Sequence, residues 1–171
     1  MWKLLAYVCS FVSIKEAQRG CHYMQQAVAH ILSEAGWFVE REVEISHYVE
    51  FLKNDDYVIF ERAVQVLKEY GGLKIQFKNP RKPDQYLTLN VDPEHAGKSI
   101  FRELVTRYEQ HCNESFIILG EIASIDMTWY IGSSGKFYGG NEDFLIYLGD
   151  SFEEALYHVV IGVNLDVITI Y

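Results

Sequence analysis

Hydrophobic residues recur along this chain with two different periods, which divide it into predicted helices and strands. A helix is predicted over Ala17–Ala35, because its apolar residues fall three and four positions apart and Gly36 is a suitable C-terminal cap. Apolar and charged residues alternate over Arg41–Ser46, which predicts a half-buried strand. A short helix is expected next, over Tyr48–Leu52.

The middle of the chain contains two further predicted helices with a hairpin between them. One helix is capped by Asp55 or Asp56 and ends at Gly71-Gly72. Asp92-Pro93 opens the other, whose apolar residues repeat at intervals of four as far as Tyr108. The predicted hairpin strands are Leu73–Phe77 and Tyr86–Val91, and the loop between them is Asn79–Asp84.

Strands dominate the chain after residue 113. The predicted strands are Phe116–Leu119, Ser124–Ile131, Lys136–Tyr138, Phe144–Leu148 and Leu165–Tyr171, with a turn at Ser133-Ser134-Gly135. Ser151 and Glu154 have the spacing of a capping box, which predicts a helix that ends at Gly162. About four helices and six strands, joined mostly by hairpin-like turns, predict an α+β fold with an antiparallel or mixed sheet.

No linker or change of composition divides the 171 residues, so we expect a single domain over residues 1–171. Residues 1–20 form a possible extension of uncertain role. The apolar stretch within Met1–Ser13 resembles a short signal sequence, but it has one positive charge and no small-residue cleavage site. It is also much shorter than the roughly 20 residues of a membrane span. A strand or helix packed on the domain is the favoured interpretation.

The acidic residues are unevenly distributed along the chain. The formal net charge is −9, and residues 114–171 account for −8 of it, with nine acids and the single base Lys136. Such a segment repels nucleic acid and attracts a basic partner, although net negative charge can also serve solubility alone. The three cysteines, Cys9, Cys21 and Cys112, are too few and too irregular for a disulfide framework. A reducing, cytoplasmic location is therefore expected, with no nucleic-acid and no membrane partner.

Candidate chemistry in the sequence is weak. No pair of cysteines or histidines has the spacing of a zinc motif, and Gly71-Gly72 follows a helix instead of opening one, where a phosphate would bind. Carboxylates such as Glu153 and Glu154 in a first helical turn usually complement the helix dipole. We therefore expect no catalytic residue, no metal and no cofactor. A small hydrolase that uses Cys21 or Cys112 with a distant histidine is the less favoured alternative.

Aromatic residues accompany the acids in the last third of the chain. They are Trp129, Tyr130, Phe137, Tyr138, Phe144 and Tyr147. In alternating strands about half of them would be exposed, and exposed rings beside carboxylates suit a protein interface. A purely structural role in the core is an equally good interpretation at this point.

The order of caps and turns resembles the third immunity-protein branch of the SUKH superfamily, over roughly residues 25–162. The residues that carry the resemblance are Ala35–Phe38, Arg41–Ser46, Leu67–Leu73, Asp92-Pro93, Ile118–Glu121, Gly135–Tyr138 and Tyr147–Leu156. No one of these motifs is specific, and their order and spacing make the match. The resemblance implies an α+β fold with a curved sheet, no catalytic residues and no cofactor. It also implies non-catalytic binding of a toxin, often a nuclease or deaminase.

The expected function is therefore neutralisation of a cognate toxin, with a basic surface, through an acidic face of this chain. The expected partner-binding residues are Tyr138, Glu142, Asp143, Asp150 and Glu153. Capping alone could account for Asp150 and Glu154. The alternative function is a regulatory scaffold that binds a protein other than a toxin. The sequence leaves the oligomeric state open.

Overall fold

The computed structural model describes residues 26–142 and 144–170 of the chain. This part contains six α-helices and seven strands. Helix α1 covers residues 26–34, and the other helices are α2 (Ser46–Asn54), α3 (Glu61–Tyr70), α4 (Pro93–Gly97), α5 (Arg102–Cys112) and α6 (Phe152–Ile161). The strands are β1 (Lys74–Asn79), β2 (Lys82–Asn90), β3 (Phe116–Ile122), β4 (Met127–Gly132), β5 (Phe137–Asn141), β6 (Phe144–Gly149) and β7 (Val167–Thr169).

The seven strands form one antiparallel sheet in which each strand pairs with its neighbours in the chain. The two edges of the sheet are therefore β1 and β7. This arrangement confirms the predicted α+β fold class and its antiparallel sheet. Antiparallel neighbours can be joined by short turns, as in most of this sheet, while α4 and α5 lie between β2 and β3 and α6 lies between β6 and β7.

Helices cover both faces of the central strands. Trp129 and Tyr130 are consecutive in β4 and so point to opposite faces. The ring of Tyr130 contacts Tyr108 of α5 at 5.5 Å, and the ring of Trp129 lies 5.8 Å from Phe152 of α6. Both are fully buried, as is Phe137. These three aromatic residues therefore belong to the core and not to an exposed interface.

The hairpin of β1 and β2 has one buried and one exposed face, as the alternating sequence predicts. Ile75 and Phe77 are buried, whereas Lys74, Gln76 and Lys78 are exposed. The connection is tighter than the predicted six-residue loop, because β2 already begins at Lys82. The Asn79 side chain accepts a hydrogen bond from the Arg81 amide at 2.9 Å, which stabilises this tight turn.

The strand predicted over Arg41–Ser46 is wrong. Residues 41–45 lie outside any helix or strand, and Ser46 is the first residue of α2. The Val43 amide donates to the carbonyl of Lys68 in α3, and the Arg41 guanidinium donates to the carbonyls of Glu69 and Gly71. The segment therefore caps the end of α3 instead of pairing with a strand. Its alternation arises because Ile45 is buried against helices.

One predicted helix start, one predicted helix length and one predicted strand start are also wrong. Neither Asp55 nor Asp56 caps α3, which begins at Glu61 without a side-chain cap. The helix predicted from Asp92 to Tyr108 is two helices, although Asp92 does cap α4 by accepting from the His95 amide at 2.9 Å. In β4 the strand begins at Met127, since residues 123–125 form a 3-10 turn.

The capping box at the start of α6 is confirmed. The Ser151 hydroxyl accepts from the Glu154 amide at 3.1 Å, while the Glu154 carboxylate accepts from the Asp150 amide at 2.8 Å. The helix ends at Gly162, whose φ of +69° suits glycine. The closing strand is also present as β7, paired with β6. The stretch Met1–Ser13, Cys9, Cys21 and the beginning of the first predicted helix lie outside the described residues.

Candidate partner-binding surface

Tyr138 of β5 is a buried residue whose hydroxyl group is held by a carboxylate. Only 5% of the residue is exposed, and its ring lies 4.9 Å from that of Phe116. The hydroxyl donates to Glu114 Oε1 at 2.8 Å. Burial, together with this hydrogen bond, raises the pKa of Tyr138 well above its ordinary value. Any contact of Tyr138 with a partner is therefore limited to a small part of its surface.

Tyr147 and Asp150 form a second tyrosine–carboxylate pair next to the first. The Tyr147 ring lies 6.0 Å from that of Tyr138, and its hydroxyl donates to Asp150 Oδ1 at 2.6 Å. Loss of solvent and the hydrogen bond to Asp150 raise the pKa of Tyr147 to about 12. Asp150 itself is exposed at the start of α6. Its carboxylate is therefore available to a partner while it orients the Tyr147 side chain.

Glu153 in the first turn of α6 connects two helices. Its Oε1 accepts a hydrogen bond of 2.5 Å from the hydroxyl of Tyr70, the last residue of α3. Tyr70 is buried, and its ring stacks on that of Phe152 at 4.0 Å and 16°. Burial and this hydrogen bond raise the pKa of Tyr70. Glu153 therefore has a structural partner, whatever its role toward another protein.

Glu142 lies in the tight turn between β5 and β6. It is exposed and has a φ of +43°. Its backbone carbonyl accepts a hydrogen bond of 3.1 Å from the buried Tyr108 hydroxyl, so the turn is tied to α5 through the main chain. The side chain of Glu142 takes no part in that contact. Asp143, the other acid predicted in this turn, lies outside the described residues.

The structure places the predicted residues at two ends of one hairpin. Asn141 pairs with Phe144 at the turn that holds Glu142, and Phe137 pairs with Gly149 just before Asp150. The six residues of β6 separate these ends by about 17 Å. Asp150 and Glu153 thus lie at the start of α6, Tyr138 is linked to Asp150 through Tyr147, and Glu142 is apart from them.

Two other acids of the last third form internal contacts that sequence reasoning missed. Glu114 Oε2 accepts from the Ser134 amide at 2.8 Å, so this carboxylate holds the β4–β5 turn as well as Tyr138. Glu121 lies 2.8 Å from the ring of His95. Their partners are about twenty or more residues away in the chain, and no local pattern could have revealed them. Among the acids of this region that the structure describes, Asp126, Glu142, Asp150 and Asp166 are exposed.

The described residues offer little for catalysis. Among them, no three His, Cys, Asp or Glu side chains are placed to hold a metal ion. The thiol of Cys112 is half-buried, and burial together with the charge of Glu114 raises its pKa, which makes it a poor nucleophile at neutral pH. None of the helices in residues 26–142 and 144–170 has the length and apolarity that crossing a membrane requires.

Comparison with known proteins connects this geometry to a family. The family model described as SUKH-3 immunity protein matches residues 24–162. Neither the curated proteins nor the solved structures gave a match. The matched region includes every helix and strand described above except β7. The chain therefore belongs to the SUKH-3 immunity protein family.

Proposed function

We propose that this protein is an immunity protein that binds a cognate toxin in the cytoplasm and neutralises it by non-catalytic contact. The observation that supports this most strongly is the family match over residues 24–162. The raised pKa of the Cys112 thiol also argues against the alternative of a hydrolase that uses this cysteine. Binding alone would then account for the function.

The contact surface that we propose is the acidic region formed by the β5–β6 turn and the start of α6. Its charged residues are Glu142 and Asp143 at one end of the β5–β6 hairpin and Asp150 and Glu153 at the other. At the second end the Tyr147 hydroxyl donates to Asp150, and the Tyr147 ring contacts that of Tyr138. Carboxylates attract a basic partner and repel nucleic acid, so they fit the substrate-binding cleft of a nuclease toxin. Rim charges of this kind act mainly on the rate of association.

Charge reversal in the β5–β6 turn tests this surface. We expect Glu142→Lys with Asp143→Lys to slow association with the cognate toxin, sought as the product of a neighbouring gene, about 10-fold at low salt. The salt dependence of association should also weaken. The Glu142 side chain is exposed and takes no part in the hydrogen bond that ties the turn to Tyr108. Circular dichroism would check that the variant folds. Association would be measured by stopped-flow fluorescence at several salt concentrations.

The matched control is Glu34→Lys with Glu40→Lys, which makes the same change of net charge at two exposed positions outside this surface. If both double variants slow association equally, net charge and not this surface determines the rate. Co-purification with the product of the gene immediately upstream tests the function itself. Recovery of a protein without toxic activity would favour the regulatory scaffold instead.

A further inference from the structure

A groove of about 810 Å³ lies between the end of α2 and the segment that joins α4 to α5. Its apolar lining consists of Phe51, Ile100 and Phe101. Phe101 is 80% exposed, the highest value among the large hydrophobic residues of the described part of the chain. Single exposed apolar residues are common, but here two rings and an isoleucine line the same groove.

The break between α4 and α5 is what presents Phe101 to solvent. At Gly97 a Cβ atom would lie 2.6 Å from the Phe51 ring, so a larger residue would require that ring to shift. The chain then leaves the helix, and Phe101 takes the extended N-cap position of α5 with a ψ of 135°. A continuous helix, which the sequence predicts, would have no such opening.

Carboxylates line the polar side of the same groove. They are Asp55, Asp56 and Glu103, and the bases beside them are Lys98 and Arg102. Arg102 is already engaged, because its guanidinium lies 2.9 Å from Glu109 and 4.5 Å from the centre of the Tyr57 ring. Burial and the negative charges of Asp56 and Glu103 raise the pKa of Asp55, although the positive charge of Arg102 acts in the opposite direction. The three acids and two bases of the lining give a formal net charge of −1, and the charge of Arg102 is paired with Glu109 outside the lining.

We propose that this groove is a second contact site for the partner, and that it receives a lysine or arginine side chain of that protein. The aliphatic part of such a side chain packs on Phe51 and Phe101. The cationic end pairs with the carboxylates of Asp55 and Glu103 and lies over a ring face. The identity of the partner as a toxin rests on the proposed function. The basic nature of the bound side chain is inferred from the carboxylates of the groove.

The first test uses the toxin encoded by the neighbouring gene. Phe101→Ala should weaken its binding at least 10-fold, mainly through faster dissociation, because truncation of a central aromatic anchor acts on complex lifetime. Asp55→Asn with Glu103→Gln should do the same. The matched controls are Phe38→Ala, at another exposed ring, and Glu34→Gln with Glu40→Gln. Wild-type affinity in the Phe101 and Asp55/Glu103 variants would overturn the groove proposal and leave the proposed function intact.

The second test needs no toxin. Blocked arginine (N-acetylarginine amide) would be titrated into the ¹⁵N-labelled full chain, with N-acetylcitrulline amide as its uncharged isostere. Saturable shifts are expected at the amides of Gly97, Phe101 and Thr106, at concentrations on the order of millimolar. They should disappear in Asp55→Asn with Glu103→Gln and with the citrulline probe. If the chain binds no toxin, localised shifts still support the groove as a site for a basic side chain. Absent shifts, or equal shifts with both probes, overturn it.

Discussion

Glu153 is a predicted partner-binding residue, but its hydrogen bond to Tyr70 indicates a structural role, and this role can be tested. Tyr70→Phe removes one hydroxyl group and keeps the ring, which stacks on Phe152 at 4.0 Å. Replacement of Glu153 is a less direct test, because Glu69 also interacts with the Tyr70 hydroxyl. Tyr70→Phe removes both interactions of the hydroxyl group, so its combination with Glu153→Gln is what isolates the contact between α3 and α6.

The size of the effect follows from the environment of the bond. A hydrogen bond to a charged group contributes about 1.5–3 kcal/mol, and a neutral one about half as much. Tyr70 is buried but Glu153 is half-exposed, so the lower end applies. We expect Tyr70→Phe to lower the free energy of unfolding by about 1.5 kcal/mol. Glu153→Gln, which keeps an acceptor, should lower it by about 0.7 kcal/mol.

Urea unfolding followed by circular dichroism measures these values, and the double variant Tyr70→Phe with Glu153→Gln gives the coupling between the two residues. Toxin affinity is the second measurement. It should stay within twofold in Tyr70→Phe, because Glu153 keeps its charge and its position in α6. A loss of stability below 0.3 kcal/mol in Tyr70→Phe would refute the assignment of Glu153 as a structural contact.

The start of α6 and the tyrosine hydroxyls give two further predictions. Ser151→Ala removes the N-cap and should lower the free energy of unfolding by about 1 kcal/mol, measured in urea, while Ser151→Asn should largely retain it. The pKa of Tyr147, about 12, is raised from an ordinary 10.0, so its contribution to stability is present below pH 10 and is lost as pH rises toward 12. Urea midpoints at pH 8, 10 and 11 should fall less in Tyr147→Phe than in the wild type.

The sequence predicted the β1–β2 hairpin correctly because one face of that hairpin is exposed to solvent. Lys74 and Lys78 on the exposed side and Ile75 and Phe77 on the buried side reproduce the period of a strand. Arg41–Ser46 has the same period without being a strand, since its hydrogen-bond partners are the last carbonyls of a helix more than twenty residues away. Alternation of apolar and polar residues indicates which side of a segment is buried. It does not identify the hydrogen-bond partner of its backbone.

The candidate surfaces could not be predicted fully from the sequence, because they depend on contacts between residues that are far apart in the chain. The period of four from Ala96 to Tyr108 continues through the break between α4 and α5, where Gly97 packs closely against the Phe51 ring. The acids of the last third look equivalent in the sequence, yet Glu114 and Glu121 have internal partners whereas Glu142 and Asp150 are exposed. The net charge of a segment predicts the sign of its electrostatic potential. Which carboxylates remain at the surface to produce that potential depends on contacts with residues far away in the chain.

The two proposed contact sites should be separable by kinetics, because they act on different steps of binding. Glu142 is an exposed charge on a turn, so its reversal changes the long-range attraction and hence the rate of association. Phe101 lies beside a groove and offers contact area without charge, so its truncation changes the rate of dissociation. Salt should therefore reduce association of the Phe101→Ala variant as strongly as that of the wild type, while the reversed turn loses much of this dependence. Two sites that act through the same rate constant would instead belong to one continuous interface.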